Sequence, residues 1–331
     1  MALESKLARH VKLRALRALI AVSQAGSMAR AAKALALSQP AVSNTIAELE
    51  REIGARLLDR SNLGVELTLA GNVLLRRAIT ILDELRGADQ EIANLADPAT
   101  GELRLVAGAA WAAGFLPHLL LDLARDYPRI RTMLIETRDG LRVLRARDAD
   151  LGIGRIPLDR DGNGPGDILF VPLFDERLFV VAGPEHPLAR LRRVDVGALS
   201  RERWIMTAGG TVSHELVATE FDRLGLAIGE PTIKTDSITM RSALLHSGRY
   251  LSVLPGSMLA YGRAYKDLAV LPVDLSGATR AIGIACLQGR TLPPVYQPFL
   301  ACAHNAALRM RCFEPHRVSG RRKTPPDPVD A

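Results

Sequence analysis

The chain has 331 residues, a formal net charge of +7, and 48% hydrophobic and 24% charged residues. That length predicts two or three domains, and that composition excludes a chain disordered throughout. Three cysteines, Cys286, Cys302 and Cys312, form an odd set with no CxxC spacing, so neither a disulfide framework nor a structural zinc site is expected.

The first residues alternate charge with leucine (Lys6, Arg9, Lys12, Arg14, Arg17) and do not read as a signal peptide. The most apolar stretch, 105–121, contains Gly108, Gly114, Pro117 and His118, so it reads as a buried strand turning into a helix rather than a membrane span. Location in a reducing cytoplasm is expected, with no membrane partner. Charge is uneven: residues 1–77 hold twelve Lys/Arg against six Asp/Glu, and the other 254 hold 31 against 30. A basic head on a balanced body suggests that the head meets a polyanion.

Leu13, Leu16, Leu19 and Ile20 mark one face of a first helix over 10–24. Ser27 is placed to cap a short alanine-rich helix over 28–35. Pro40, tolerated only in a helix's first turn, starts a third helix that runs to Ile53 with Val42, Ile46 and Leu49 inward. Leu57-Leu58, a turn at 62–64 and 65–67 predict a small β-wing. Thr68 is placed to cap a long helix over 69–96. Its apolar positions Leu74, Ala78, Ile81, Leu85, Ala88, Ile92 and Leu95 alternate spacings of four and three. That heptad seam favours pairing with a second helix over packing on its own domain. Residues 97–101 break the helix and form a linker.

Short apolar runs then alternate with helical stretches. Strands are expected at 103–107, 131–136, 150–153, 169–172, 178–182, 232–235, 251–254, 269–272 and 281–285, with a further strand at Trp204. Helices are expected at 115–126, 141–147, 215–224, 238–246 and 296–310. This alternation predicts parallel sheets with helices on both faces, arranged as two small α/β lobes. The proline-rich, charged residues 312–331 predict a disordered tail.

Met28 to Ala47 places two short helices at a tight turn, with Ala31 and Ala32 where they must pack closely. That is the pattern of a helix-turn-helix, whose second helix enters the major groove. Gln39, Pro40, Ser43 and Asn44 lie in the first turns of that second helix, and Gln and Asn can pair with adenine through donor and acceptor. Ser38 and the nearby backbone N–H groups suit phosphates, as do Arg30 and Arg60. By itself the pattern fits an ordinary helical hairpin better.

The ordered run of motifs decides the matter. Leu13–Leu16–Leu19, Gly26-Ser27, Arg30-Ala31-Ala32 and Leu37-Ser38-Gln39-Pro40-Ala41-Val42-Ser43 come first. Leu49-Glu50, Ile53-Gly54, Leu57-Leu58-Asp59-Arg60 and Leu67-Thr68-Leu69-Ala70-Gly71 follow. Together they closely resemble the DNA-binding domain of the LysR-type transcriptional regulators. The chain departs from that family's usual residues at Leu19, Met28 and the wing residue Leu63.

The resemblance implies an α plus α/β protein: a winged helix-turn-helix at 11–68, a dimerisation helix at 69–96, and an effector domain at 102–311 like type 2 periplasmic binding proteins. Lobe I would be 102–181 and 270–311, and lobe II 182–269, with crossovers near 179–183 and 268–272. It further implies a dimer or tetramer on a partly symmetric double-stranded operator, RNA polymerase as a further partner, and a small effector in the cleft that shifts the lobes. Ligands in open α/β sheets sit at the carboxyl ends of strands. That rule points to Ala109, Ala110, Trp111, Gly154, Arg155, Thr211, Val212, Ser213, Asp236 and Ser237, and to a carboxylate or a sugar as ligand. Arg155 at such a mouth is expected to be solvated, and Ser213 and Ser237 also suit helix caps.

No catalytic residue, metal or cofactor is expected. Gly152-Ile153-Gly154 lacks the third glycine of a dinucleotide site, and P-loop, HExxH and GxSxG patterns are missing. Two other classes remain to be weighed: a solute-binding protein with a helical extension, and an enzyme with a fused DNA-binding domain.

Overall fold

The computed structural model describes residues 11–61, 64–96, 100–157, 164–209, 212–226, 230–275 and 277–311. Leu63, Thr211 and the tail 312–331 lie outside these residues. The chain divides into two compact units, 1–92 and 93–331.

The N-terminal unit opens with α1 (Leu13–Ala25), α2 (Met28–Ala34) and α3 (Gln39–Ile53). Leu19, Val22, Ala31, Val42, Ile46 and Leu49 are fully buried between them. Leu19 and Met28, which depart from the family's pattern, both sit in this core. Leu37 N–H bonds the Ala32 carbonyl at 2.9 Å and closes the turn between α2 and α3. Ser38 caps α3, its hydroxyl oxygen accepting from Ala41 N–H at 3.3 Å. Ser27 departs from expectation: it precedes α2, but its side chain makes no capping bond, and its carbonyl alone accepts from Ala31 N–H.

The wing is β1 (Leu58–Ser61) paired antiparallel with β2 (Gly64–Leu67). Its entry is held by Glu50, whose Oε1 accepts from Leu57 and Leu58 N–H at 2.8 and 3.2 Å. Thr68 then caps the long helix α4 (Leu69–Ala96): its Oγ1 accepts from Gly71 N–H at 3.0 Å and donates to the Arg56 carbonyl at 2.7 Å. A Cβ at Gly71 would stand 2.0 Å from the Leu57 carbonyl oxygen. Only glycine allows α4 to start so close to the wing.

The second unit contains two five-stranded sheets. Its first half runs β3 (Gly101–Ala107), α5 (Ala109–Ala113), α6 (Phe115–Asp126), β4 (Ile130–Glu136), α7 (Gly140–Arg145), β5 (Leu151–Gly154) and β6 (Ile168–Glu176). Next come β7 (Leu178–Ala182), α8 (Val196–Leu199), β8 (Trp204–Met206), α9 (Val212–Arg223), β9 (Ile233–Lys234), α10 (Ile238–His246) and β10 (Leu251–Pro255). The chain ends with α11 (Gly256–Tyr261), β11 (Ala269–Val270), β12 (Arg280–Leu287) and α12 (Tyr296–Arg311).

Sheet one has the order β4-β3-β5-β12-β6, and sheet two β11-β7-β10-β8-β9. Along β3, Leu103, Leu105 and Ala107 face a core shared with α6 and α12, while Val106 faces a core shared with α7. Period-two alternation thus covers both faces of the strand.

Two expectations are corrected. The sheets are mixed rather than parallel: β12 runs antiparallel to β5 and β6, and β7 antiparallel to β10 and β11. Strands that enter one sheet from the other arrive in the opposite direction. The lobe boundary also moves. Residues 178–181 pair in sheet two, so the chain crosses at Arg177, not within 179–183. It returns between β11 and β12, after 270 and before 280, because Val270 still pairs with Val181.

Within sheet one's lobe, Asp150 is a buried anchor. Arg104 Nε donates to its Oδ2 at 3.2 Å, and the Arg290 guanidinium and the Tyr296 hydroxyl also donate to it. Burial alone would raise this carboxyl, but the hydrogen bonds from Arg104 and Tyr296, with the charges of Arg290 and Arg104, hold it below its ordinary value.

Candidate nucleic-acid interface and effector cleft

The first site is the amino-terminal end of α3. Gln39, Pro40 and Asn44 are exposed, Ser43 is half-buried, and the buried Val42 between them fixes the helix against its core. Ser38 is exposed at the same end, and Arg30 is exposed in the first turn of α2. Arg60 lies in β1 opposite Val65, and its side chain falls outside the described residues. Exposed polar groups on a rigid helix can exchange water for base edges without disturbing the fold.

The seam of α4 divides. Leu74 packs on the core of the N-terminal unit, and Ala78 is fully buried. From there on, Ile81, Leu85, Ala88, Ile92 and Leu95 are exposed, Ile92 by 66% and Leu95 by 86%. Leu74 therefore serves the packing role weighed against pairing, and the residues beyond Ala78 form an apolar stripe.

The second site is a cavity of about 630 Å³ bordered by the ends of β3, β4 and β5 in sheet one and by residues at 207 and 236–241 from sheet two. Ala109, Ala110, Trp111, Gly154, Arg155 and Asp236 line it. Ser237 does not: it caps α10, its hydroxyl accepting from Met240 N–H at 3.2 Å. Thr211 lies outside the described residues, and Val212 and Ser213 begin α9 with side chains that fall outside them.

Trp111 sets the shape of the lobe-one wall. A Cβ at Gly154 would stand 2.9 Å from the indole, at a φ of +149° that disfavours any side chain. The GxG at 152–154 therefore makes room for a ring rather than for a pyrophosphate.

Arg155 corrects an expectation. It is not solvated: its side chain is 2% exposed and pairs at 3.1 Å with Glu176, which is wholly buried. Burial pulls the guanidinium below its ordinary pKa, opposed by the charge of Glu176. Glu176 also accepts from Trp111 Nε1 at 3.1 Å and from Ser257 N–H at 3.2 Å. It ends β6, one residue before the chain crosses between sheets, so one carboxylate ties the cavity wall to the crossing.

Arg138, after β4, reaches across the cavity. Its Nη1 meets Asp236 Oδ2 at 3.1 Å, and its Nη2 donates to the Ala208 and Gly209 carbonyls. Asp236 Oδ1 accepts from Ala208 N–H at 3.3 Å.

Arg138 and Arg241, which line the cavity, and Glu176, which holds Trp111 and Arg155 from behind its wall, are residues that reading the sequence missed. Glu176 closes an apolar strand and carries no local signal. Arg241 did carry one: it shares a face of α10 with Ile238 and Leu245, where a core helix would place an apolar residue. Among the described residues no cluster of His, Cys, Asp and Glu is placed to hold a metal ion, and no helix is long and apolar enough to cross a membrane.

Comparison with known proteins gives two family matches: the bacterial regulatory helix-turn-helix protein, lysR family, over residues 13–72, and the LysR substrate binding domain over residues 96–308. The SDS degradation transcriptional activation protein of a Pseudomonas species is 31% identical over 294 residues, covering 85% of this chain and 92% of the relative. The RuBisCO operon transcriptional regulator of Allochromatium vinosum is 29% identical, covering 92% of this chain and 99% of the relative. In fold, full-length OxyR of Pseudomonas aeruginosa matches at a TM-score of 0.62 over 90% of this chain and 95% of its own, at 24% identity. Full-length CbnR in complex with its target DNA matches at 0.61 over 89% and 100%, also at 24% identity. These relatives are regulators, which sets aside the solute-binding and enzyme readings. The chain belongs to the LysR family: it is a DNA-binding transcriptional regulator with a substrate-binding domain.

Proposed function

We propose that this regulator works in the cytoplasm as a homodimer or homotetramer on a partly symmetric operator, and that a small molecule held between the two sheets controls it. Gln39, Ser43 and Asn44 read base edges, Pro40 sets the start of their helix, and Arg30, Ser38 and Arg60 meet phosphates. Beyond Ala78 the exposed stripe of α4 forms the pairing surface, since paired helices would bury apolar side chains that now face water. The domain division follows these roles, with the head to 68, the pairing helix at 69–96, and the effector domain to 311.

The observation that carries the reading is the cavity of about 630 Å³, bordered by residues of both sheets. A ligand that touches both lobes binds their closed and open arrangements with different affinity, and that difference is what shifts a population. Arg138, bonded to Asp236 and to the 208–209 carbonyls, closes one side of the cavity in the present arrangement.

The test is a thermal-shift screen of the full chain against small acids, sugars and amino acids. A ligand at 100 times its Kd should add about 2.7 kcal/mol of stability. For a unit of this size, at about 2–4 °C per kcal/mol, that is roughly 5–11 °C. Each hit is then added to operator DNA in a footprinting assay. A hit that moves Tm yet leaves both affinity and footprint unchanged counts against effector control.

A further inference from the structure

Three arginines face the cavity, and two are paired. Arg138 meets Asp236, and Arg155 meets Glu176. Arg241 is different. It sits on α10, is 4% exposed, and lines the cavity. Its Nη2 donates to the Thr235 carbonyl at 2.9 Å, while its buried Nε has no hydrogen-bond partner. Among the described residues no carboxylate lies within ion-pair distance of it. Asp236, the nearest acid in sequence, is committed to Arg138 and to Ala208 N–H. A buried cation without an ion-pair partner is costly: desolvation pulls the Arg241 guanidinium below its ordinary pKa, opposed only in part by the charges of Tyr265 and Asp236.

We propose that the cleft selects a small organic carboxylate, its charged group held by Arg241 and its apolar body lying against Trp111, Ile153 and Ile156. This rests on the reading of the cleft as the effector site and adds the ligand's charge to it. One spare cation and one unpaired donor match a single carboxylate, whereas a phosphate dianion needs more donors than Arg241 offers. The remainder of the wall that Trp111, Ile153 and Ile156 provide is apolar, which disfavours a ligand ringed with hydroxyls.

The experiment uses the full chain and matched probes: phenylacetate against phenylacetamide, hexanoate against hexanamide, and glucose as a neutral polyol. Affinities are read by calorimetry on wild type, Arg241→Gln and Arg241→Lys. A carboxylate should bind about tenfold or more tightly than its amide, as expected for a hydrogen bond to a charged group. Arg241→Gln should remove that preference and Arg241→Lys should keep part of it. If Arg241→Gln fails to fold, the carboxylate-to-amide ratio on wild type decides alone. The proposal is overturned if amides or glucose bind as well as the acids, or if Arg241→Gln keeps the preference. Either of those results would leave the effector-cleft reading standing; a panel in which nothing binds counts against both.

Discussion

Gln39 and Asn44 stand exposed on a helix whose core residues Val42, Ile46 and Leu49 have no exposure at all. At the cleft the polar groups are placed the other way round: Arg155 and Arg241 in its wall, and Glu176 behind it, are almost wholly buried. The α3 surface is solvated when empty, so its side chains cost the fold little. The cleft has to hold charge away from water, so its residues are joined into networks that also support the lobes. Substitutions in the head should therefore separate binding from stability, and substitutions in the cleft should mix them.

The largest effect is expected at Glu176. Glu176→Ala leaves the Arg155 guanidinium buried without its carboxylate, and such broken buried pairs cost about 3–5 kcal/mol. Denaturant unfolding of the full chain reads this; a loss below about 1 kcal/mol would mean that the cleft network is not a support.

Next is the exposed stripe of α4. Leu85→Asp places charge where pairing would bury an apolar side chain, costing about 2–3 kcal/mol of association per site. Sedimentation should show a shift toward monomer with unchanged far-UV dichroism. An unaltered oligomer would move the pairing surface elsewhere.

Gln39→Ala is the sharpest test of the contrast. Operator-over-scrambled discrimination should fall by about 1–3 kcal/mol. Stability should stay within about 0.5 kcal/mol. Full discrimination by the variant would take base reading away from Gln39.

Arg138→Ala is smaller. Its side chain is 45% exposed, so losing the pair with Asp236 should cost about 0–1 kcal/mol of stability. Its effect should appear in how tightly ligand holds the lobes, read as a faster ligand off-rate.

Asp150 is tested through pH dependence, where its effect on the slope near pH 7 is the smallest of all. Its carboxyl is held below the ordinary 3.8, so it stabilises the fold above that value and the contribution is lost as pH falls below it. Asp150→Asn should flatten the acid limb of a stability-against-pH curve and leave the slope near pH 7 unchanged.

The head was legible because its signals are local. Leu16 and Leu19 lie on the buried face that the spacing marked, although Leu13 at its start is exposed; Pro40 marks a first turn, and the α4 boundaries at Leu69 and Ala96 follow from Thr68 and the break at 97–101. Ser27 misled because a hydroxyl at a cap position need not bond, and here the backbone carbonyl alone closes the turn. In the body, single helices such as Phe115–Asp126 and Ile238–His246 were equally legible. Strand direction was not, because β12 and β7 alternate as any buried strand does and nothing within them records the lobe from which the chain arrives.

Periodicity, caps and a run of ordered motifs were enough to specify the head's elements, most of the body's, the family and the exposed recognition helix, since each depends on residues within a few turns of one another; the short helices Ala109–Ala113, Val196–Leu199 and Gly256–Tyr261 were not read. Which strands pair, where the chain crosses at Arg177, and that Glu176 gathers Trp111, Arg155 and Ser257 were decided in three dimensions. The reason is physical: a buried carboxylate is tolerable only where donors converge on it, and these donors lie 65 residues before it, 21 before it and 81 after it. The same holds for Arg241, whose missing partner becomes visible only when the two sheets close around a common cavity.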